Sequence, residues 1–128
     1  GDSLWAVFDG HISWEVAAHA AQVVPGLVWD SVLWPSSPGA ALQGALRACH
    51  ESARREGLQG GSTAVVLAST GSDLWCCYAG DSRAVAGLHG GGICRLSEEH
   101  TAMLPGEKCR VAEAGGCIVG GRLENLDV

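Results

Sequence analysis

At 128 residues the chain has the length of one domain, and its 47 % hydrophobic and 17 % charged content suits a globular fold rather than a disordered one. A formal net charge of −6 argues against general capture of nucleic acid or an anionic membrane, while leaving room for a local basic groove. No apolar run reaches the length of a membrane span, the N-terminus carries no secretory signal pattern, and 19 glycines argue for tight turns over a plain helical bundle.

The first stretch, Leu4-Trp5-Ala6-Val7-Phe8-Asp9-Gly10-His11, is an apolar run that ends abruptly in an acid, a glycine and a histidine. A buried strand delivering polar groups to the rim of a sheet reads this way. The residue types suit a site: a carboxylate holds a hard cation, glycine lets backbone approach a ligand, and histidine passes protons near neutral pH. Ser13 is placed to cap a helix over residues 13–24, with Glu15 in its first turn. Val16, Ala20 and Val23 form its apolar stripe, with Ala17 and Val24 beside them, and Pro25-Gly26 is expected to end it. Residues 27–34 are apolar and leave the element type open, and the Pro-Ser-Ser-Pro of residues 35–38 is a loop. A second helix is predicted over residues 39–56, burying Ala41, Leu42, Ala45, Leu46, Cys49 and Ala53, with Gly57 as its stop.

The character then changes to short β-branched runs. Residues 62–69 and 74–79 predict a hairpin around a polar turn. After the turn Gly80-Asp81-Ser82, residues 83–88 and 93–96 predict two more strands, joined through His89-Gly90-Gly91-Gly92. Four short strands with short turns read as an antiparallel meander, so the class is α+β. Residues 97–104 are a polar loop, Pro105 opens a third helix that closes before Gly115-Gly116, and Cys117-Ile118-Val119 and residues 123–128 predict two last short strands. Both ends of the chain are expected to fall inside structural elements, as in a piece of a longer protein.

Cys49, Cys76, Cys77, Cys94, Cys109 and Cys117 form no Cys-x-x-Cys pair, and adjacent Cys76 and Cys77 point to opposite faces of a strand. Reduced thiols in an intracellular compartment, cytoplasmic or nuclear or both, are expected. His19, His50, His89 and His100 show no ligand spacing and are assigned to surface or packing; Trp14, Trp29 and Trp34 are assigned to core or partner contacts. Gly1-Asp2-Ser3-Leu4 and His89-Gly90-Gly91-Gly92 match short serine-esterase blocks. The partner motifs are missing: no aspartate has a histidine three residues on, and Gly-x-Ser-x-Gly does not occur.

Four ordered blocks resemble the metal-dependent serine/threonine protein phosphatases of type 2C. Leu4-Trp5-Ala6-Val7-Phe8-Asp9-Gly10-His11 is similar to that family's strand ending in Asp-Gly-His, and Gly61-Ser62-Thr63-Ala64 to its Gly-Ser-Thr-Ala strand start. Tyr78-Ala79-Gly80-Asp81-Ser82-Arg83-Ala84-Val85 resembles its Gly-Asp-Ser-Arg turn. Glu99-His100, Glu107-Lys108-Cys109-Arg110-Val111 and Ala114-Gly115-Gly116-Cys117-Ile118 resemble its Asp-His, Glu-x-x-Arg-Ile and Ala-Gly-Gly-x-Val run.

The resemblance implies an antiparallel β-sandwich flanked by helices, here as an incomplete portion of one domain over residues 1–128. It also implies hydrolysis of phosphoserine and phosphothreonine in phosphoprotein substrates by a water between two Mg²⁺ or Mn²⁺ ions, with a further, weaker ion in some members. By the same resemblance Asp9 bridges both metals, Gly10 offers its carbonyl oxygen, His11 is the general acid, Asp81 serves the weaker position, and Arg83 is structural. A monomer is expected, with neither nucleic acid nor membrane as partner.

The chain departs from the family pattern with Ile12-Ser13-Trp14 after the histidine, where small residues are usual, and with Leu126-Asp127-Val128 for Leu-Ala-Val after a shortened Arg122-Leu123-Glu124-Asn125. The family's phosphate-binding arginine and Glu-Asp pair would precede Gly1, and its later aspartates would follow Val128. The 128 residues alone are therefore expected to be inactive, and a non-catalytic, phosphatase-like protein-binding module is the alternative.

Overall fold

In a computed structural model of the chain, which describes residues 1–124, the apolar run after Gly61-Ser62 becomes the central strand of a three-stranded antiparallel sheet. Along residues 1–98 the elements are β1 (Ser3–Val7), β2 (Gly10–His11), α1 (Glu15–Trp29), α2 (Pro38–Arg55), β3 (Gly61–Ser62), β4 (Ala64–Thr70), β5 (Asp73–Ala79), β6 (Val85–Gly87) and β7 (Ile93–Arg95). This compact unit, Gly1–Glu98, is followed by a second, Glu99–Val128, which holds α3 (Pro105–Glu113), β8 (Cys117–Val119) and β9 (Arg122–Glu124).

The sheet order is β1-β4-β5, with Leu4 opposite Ala68 and Val66 opposite Cys77. Because side chains alternate along a strand, Leu4, Val66, Ala68 and Cys77 share one face, and that face packs on the helices. Trp5 and Val7 point the other way and are exposed. The hairpin β4–β5 closes through Gly71-Ser72, and Gly71 at φ +59° supplies the positive φ that the first position of such a two-residue turn requires.

The second helix follows its predicted pattern within one residue at each end. Pro38 starts it, Ala41, Leu42, Ala45, Cys49 and Ala53 are buried, and Gly57 at φ +69° ends it. The N–H groups of Gly57 and Leu58 donate to the carbonyls of Arg54 and Ala53, which satisfies two otherwise orphaned acceptors.

The first helix corrects the expectation twice. Ser13 is not its N-cap: the helix opens at Glu15, and the Ser13 hydroxyl accepts the Glu15 N–H locally at 3.3 Å. Nor does Pro25-Gly26 end it, since the helix runs on to Trp29. Pro25 removes one backbone bond at a cost of about 3 kcal/mol. Continuing past it buries Val28 completely and sets Trp29 edge-on to Trp34, with ring centroids 4.9 Å apart. Those two gains, about 1.5–3 and 0.5–1.5 kcal/mol, offset the lost bond.

The expected four-strand meander is also corrected. The strand that completes the sheet is β1, on the far side of β4, while β6 and β7 form a separate two-stranded ribbon. Gly80 at φ +90° turns the chain away at the end of β5 instead of returning it alongside. Every ladder is antiparallel and the class is α+β, with two-stranded ribbons in place of a second full sheet.

In the second unit Pro105 starts α3, and Gly115 at φ +85° stops it by the same paired capping bonds as in α2. Arg110 donates to both carboxylate oxygens of Glu107, one turn earlier, at 2.9 and 2.7 Å. Its guanidinium holds the Glu107 carboxyl below the usual range. The expected last strand is present as β9, and residues 125–128 of that expectation lie outside the described residues.

Candidate functional site

Three distant stretches of sequence meet at one threonine. The Thr63 N–H donates to the Asp9 carbonyl at 2.9 Å, and the Asp9 N–H donates to Thr63 Oγ1 at 3.2 Å. Thr63 Oγ1 also lies 2.6 Å from the Ser82 hydroxyl. A hydroxyl has one donor and two acceptor positions, so it can serve both partners at once.

The turn that carries Asp81 is held against the same residue. A Cβ on Gly80 would lie 2.8 Å from Thr63 Cγ2, so only glycine permits this approach, and φ +90° independently favours it. Asp81 sits between Gly80 and Ser82 and is thereby brought to the end of β1 where Asp9 lies. Both carboxylates are exposed, and among the described residues neither accepts a hydrogen bond.

His11 is positioned by the short ladder β2–β3, which pairs Gly10 with Ser62 and His11 with Gly61. The imidazole lies against the α-carbon of Gly61: a Cβ there would be 2.5 Å from Nε2 and 2.8 Å from Cε1. Gly60, at φ +82°, lets the backbone come equally close, since its Cβ would be 2.5 Å from the His11 carbonyl oxygen. The Gln59 N–H donates to Glu15 Oε2 at 2.7 Å, which fastens this glycine pair to the first turn of α1. Gly10 is confined too, with its Cβ position 3.1 Å from the Ser13 carbonyl oxygen and 3.2 Å from Ala17 Cβ.

Between His11 and Ser13 the backbone is strained. Ile12 has φ +68°, a left-handed conformation that costs a β-branched residue on the order of 1–3 kcal/mol.

The four residues singled out from the sequence, Asp9, Gly10, His11 and Asp81, thus come to one end of the sheet. Sequence reasoning gave no role to the residues that bring them there, Thr63 and Ser82 through hydrogen bonds and Gly60, Gly61 and Gly80 through close approach. The only signal for Gly61, Thr63, Gly80 and Ser82 was membership of the Gly-Ser-Thr-Ala and Gly-Asp-Ser-Arg blocks, and Gly60 lies just outside them. The donors on offer, two carboxylates and backbone carbonyls, are hard oxygens of the type Mg²⁺ and Mn²⁺ prefer. Their number is small: among the described residues no three His, Cys, Asp or Glu side chains converge.

Away from this end of the sheet, His19 has structural partners. His19 Nε2 lies 2.6 Å from the Ser52 hydroxyl and its Nδ1 3.7 Å from Glu56, so it links α1 to α2. No helix among the described residues is long and apolar enough to cross a membrane.

The protein phosphatase 2C family pattern matches residues 2–128. The human probable protein phosphatase 1N is 35 % identical over 131 aligned positions, covering 97 % of this chain and 30 % of its own length. The rice (Oryza sativa subsp. japonica) probable protein phosphatase 2C 44 is 31 % identical over 121 positions, covering 90 % and 37 %. The chain therefore spans about a third of the length of these curated relatives.

Among solved structures, a C. elegans sex determining protein superposes with a TM-score of 0.79 at 30 % identity, covering 96 % of this chain and 33 % of that one. A Toxoplasma gondii phosphatase superposes with a TM-score of 0.78 over 98 % of this chain and 54 % of its own; at 18 % identity that likeness concerns the fold. A shared fold, a pattern matched from residue 2 onward and relatives aligned over nine-tenths of the chain lead to one conclusion: the chain belongs to the protein phosphatase 2C family.

Proposed function

We propose that the chain contributes one part of the active site of an intracellular phosphatase that hydrolyses phosphoserine and phosphothreonine in proteins. The observation that carries this reading is the set of three bonds at Thr63, which joins the Asp9–His11 stretch, the Thr63 stretch and the Asp81 turn at one end of the sheet. A bound pair of Mg²⁺ or Mn²⁺ ions supplies an activated water and offsets the charge that develops on the phosphoryl group. The Asp9 carboxylate, the Gly10 carbonyl and, at a weaker position, the Asp81 carboxylate are the groups of this chain that would hold such ions.

His11 handles the proton. A serine or threonine alkoxide is a poor leaving group, and an imidazolium beside it gives up a proton as the P–O bond breaks. Gly61 lets the ring occupy its place, because any larger residue there would displace it.

The test uses the full-length protein that carries this chain, assayed for Mn²⁺-dependent phosphate release from a phosphothreonine peptide. Turnover is expected, with His11→Gln lowering kcat by about 10²–10⁴-fold. The 128 residues alone are expected to release no phosphate. Phosphopeptide binding without turnover by the full-length protein would overturn the catalytic reading in favour of a binding module.

A further inference from the structure

Two exposed apolar side chains follow His11 closely in the chain, and nothing within the described residues explains them. Ile12 is 96 % exposed and Trp14 75 % exposed. The backbone between them is fixed from both sides. The ladder to Gly61 holds His11, a Cβ on Gly60 would lie 2.7 Å from the Ser13 nitrogen, and α1 begins at Glu15. Within that fixed path Ile12 occupies a left-handed conformation at φ +68°, where glycine would sit without strain. A branched apolar residue held at a strained, solvent-facing position beside a reactive group is arranged for something that binds there.

We propose that Ile12 and Trp14 form a specificity subsite for an apolar side chain one or two positions from the phosphorylated residue of the protein substrate. This rests on the phosphatase reading above. The occupant follows from continuity with the site. A substrate chain that delivers its phosphate to Asp9 and His11 continues at about 3.3–3.6 Å per residue, and the Ile12 α-carbon is about 3.8 Å from that of His11. Its neighbouring side chains therefore come within reach of Ile12 and Trp14. A rigid indole and a backbone already locked in place lose little freedom on contact, which favours binding an apolar partner.

The experiment compares phosphothreonine peptides that differ only in carrying leucine or serine at each position within two of the phosphorylated residue, using the full-length protein. At one of these positions leucine is expected to raise kcat/KM about tenfold, chiefly through KM. Ile12→Gly and Trp14→Ala should each shrink that preference to about twofold or less. Ile12→Gly should also raise the melting temperature, because glycine relaxes the left-handed position.

No leucine preference in the wild type, or a preference unchanged in both variants, overturns the proposal. So does a lowered melting temperature for Ile12→Gly, which would mean that Ile12 packs against another part of the protein. Wild-type turnover of p-nitrophenyl phosphate separates the two readings. Its absence defeats the phosphatase reading, while its presence without peptide selectivity defeats the subsite alone.

Discussion

Burial sets the cysteines apart from one another, one residue at a time. Cys49 is 5 % exposed within the helix-facing core, Cys76 and Cys77 are half-buried in β5, and Cys94 and Cys109 are exposed. Burial pushes the thiols of Cys49, Cys76 and Cys77 up; for Cys77 the neighbouring Cys76 adds to the rise and a backbone hydrogen bond from Tyr78 partly opposes it. The thiolate is the reactive form, so a raised pKa means less nucleophile at a given pH. Iodoacetamide near neutral pH should therefore modify Cys94 and Cys109 first and Cys49 last, as read by peptide mass spectrometry. The rates at Cys76 and Cys77 should reach their plateaus only above the pH usual for a free thiol. Equal rates at Cys49 and Cys94 would contradict the packing of α2 on the sheet.

For the helices, Pro25 provides the sharpest test. The helix passes through it because Val28 is buried and Trp29 meets Trp34 beyond it, not because the local sequence favours helix there. Pro25→Ala restores the missing backbone donor to the Ala21 carbonyl and should stabilise the fold by about 1–3 kcal/mol, seen as a raised melting temperature. A lowered one would show that the proline ring itself packs in a way alanine cannot replace. The same helix shows where sequence reading stops. The stripe of Ala41, Leu42, Ala45, Cys49 and Ala53 was legible in α2 because its period and its Gly57 stop agree. In α1 a strong local breaker was overruled by tertiary burial that no local window contains. The meander failed for a related reason. Strand existence depends on local residues, but whether the next strand pairs with β5 depends on where Gly80 sends the chain.

Across the whole molecule, the Asp-Gly-His and Gly-Asp-Ser-Arg groups were recognisable in the sequence, yet their meeting was not. The two groups join through Thr63, whose partners lie 54 and 19 residues away in sequence. Hydrogen exchange on the full-length protein should reflect that arrangement. Amides in the middle of β4, such as those of Val66 and Ala68, both 0 % exposed, should exchange only with global unfolding. The Asp9 and Thr63 amides should exchange faster, through local opening. The reverse order would mean that the site, and not the sheet, is the stable nucleus.

The threonine linkage also bears on the order of folding. The β4–β5 hairpin closes across a two-residue turn and can form early, whereas the Asp9–Thr63 bond must shut a loop of 54 residues. The chain entropy of that closure exceeds that of the 19-residue loop to Ser82 by about 0.9 kcal/mol. Long-range closures are made late, after local contacts have shortened the effective loop. The β1 side of the sheet, with Asp9 at its end, is thus expected to assemble after the hairpin, so that a folding intermediate holds a native-like hairpin without the joining of Asp9 to the Asp81 turn.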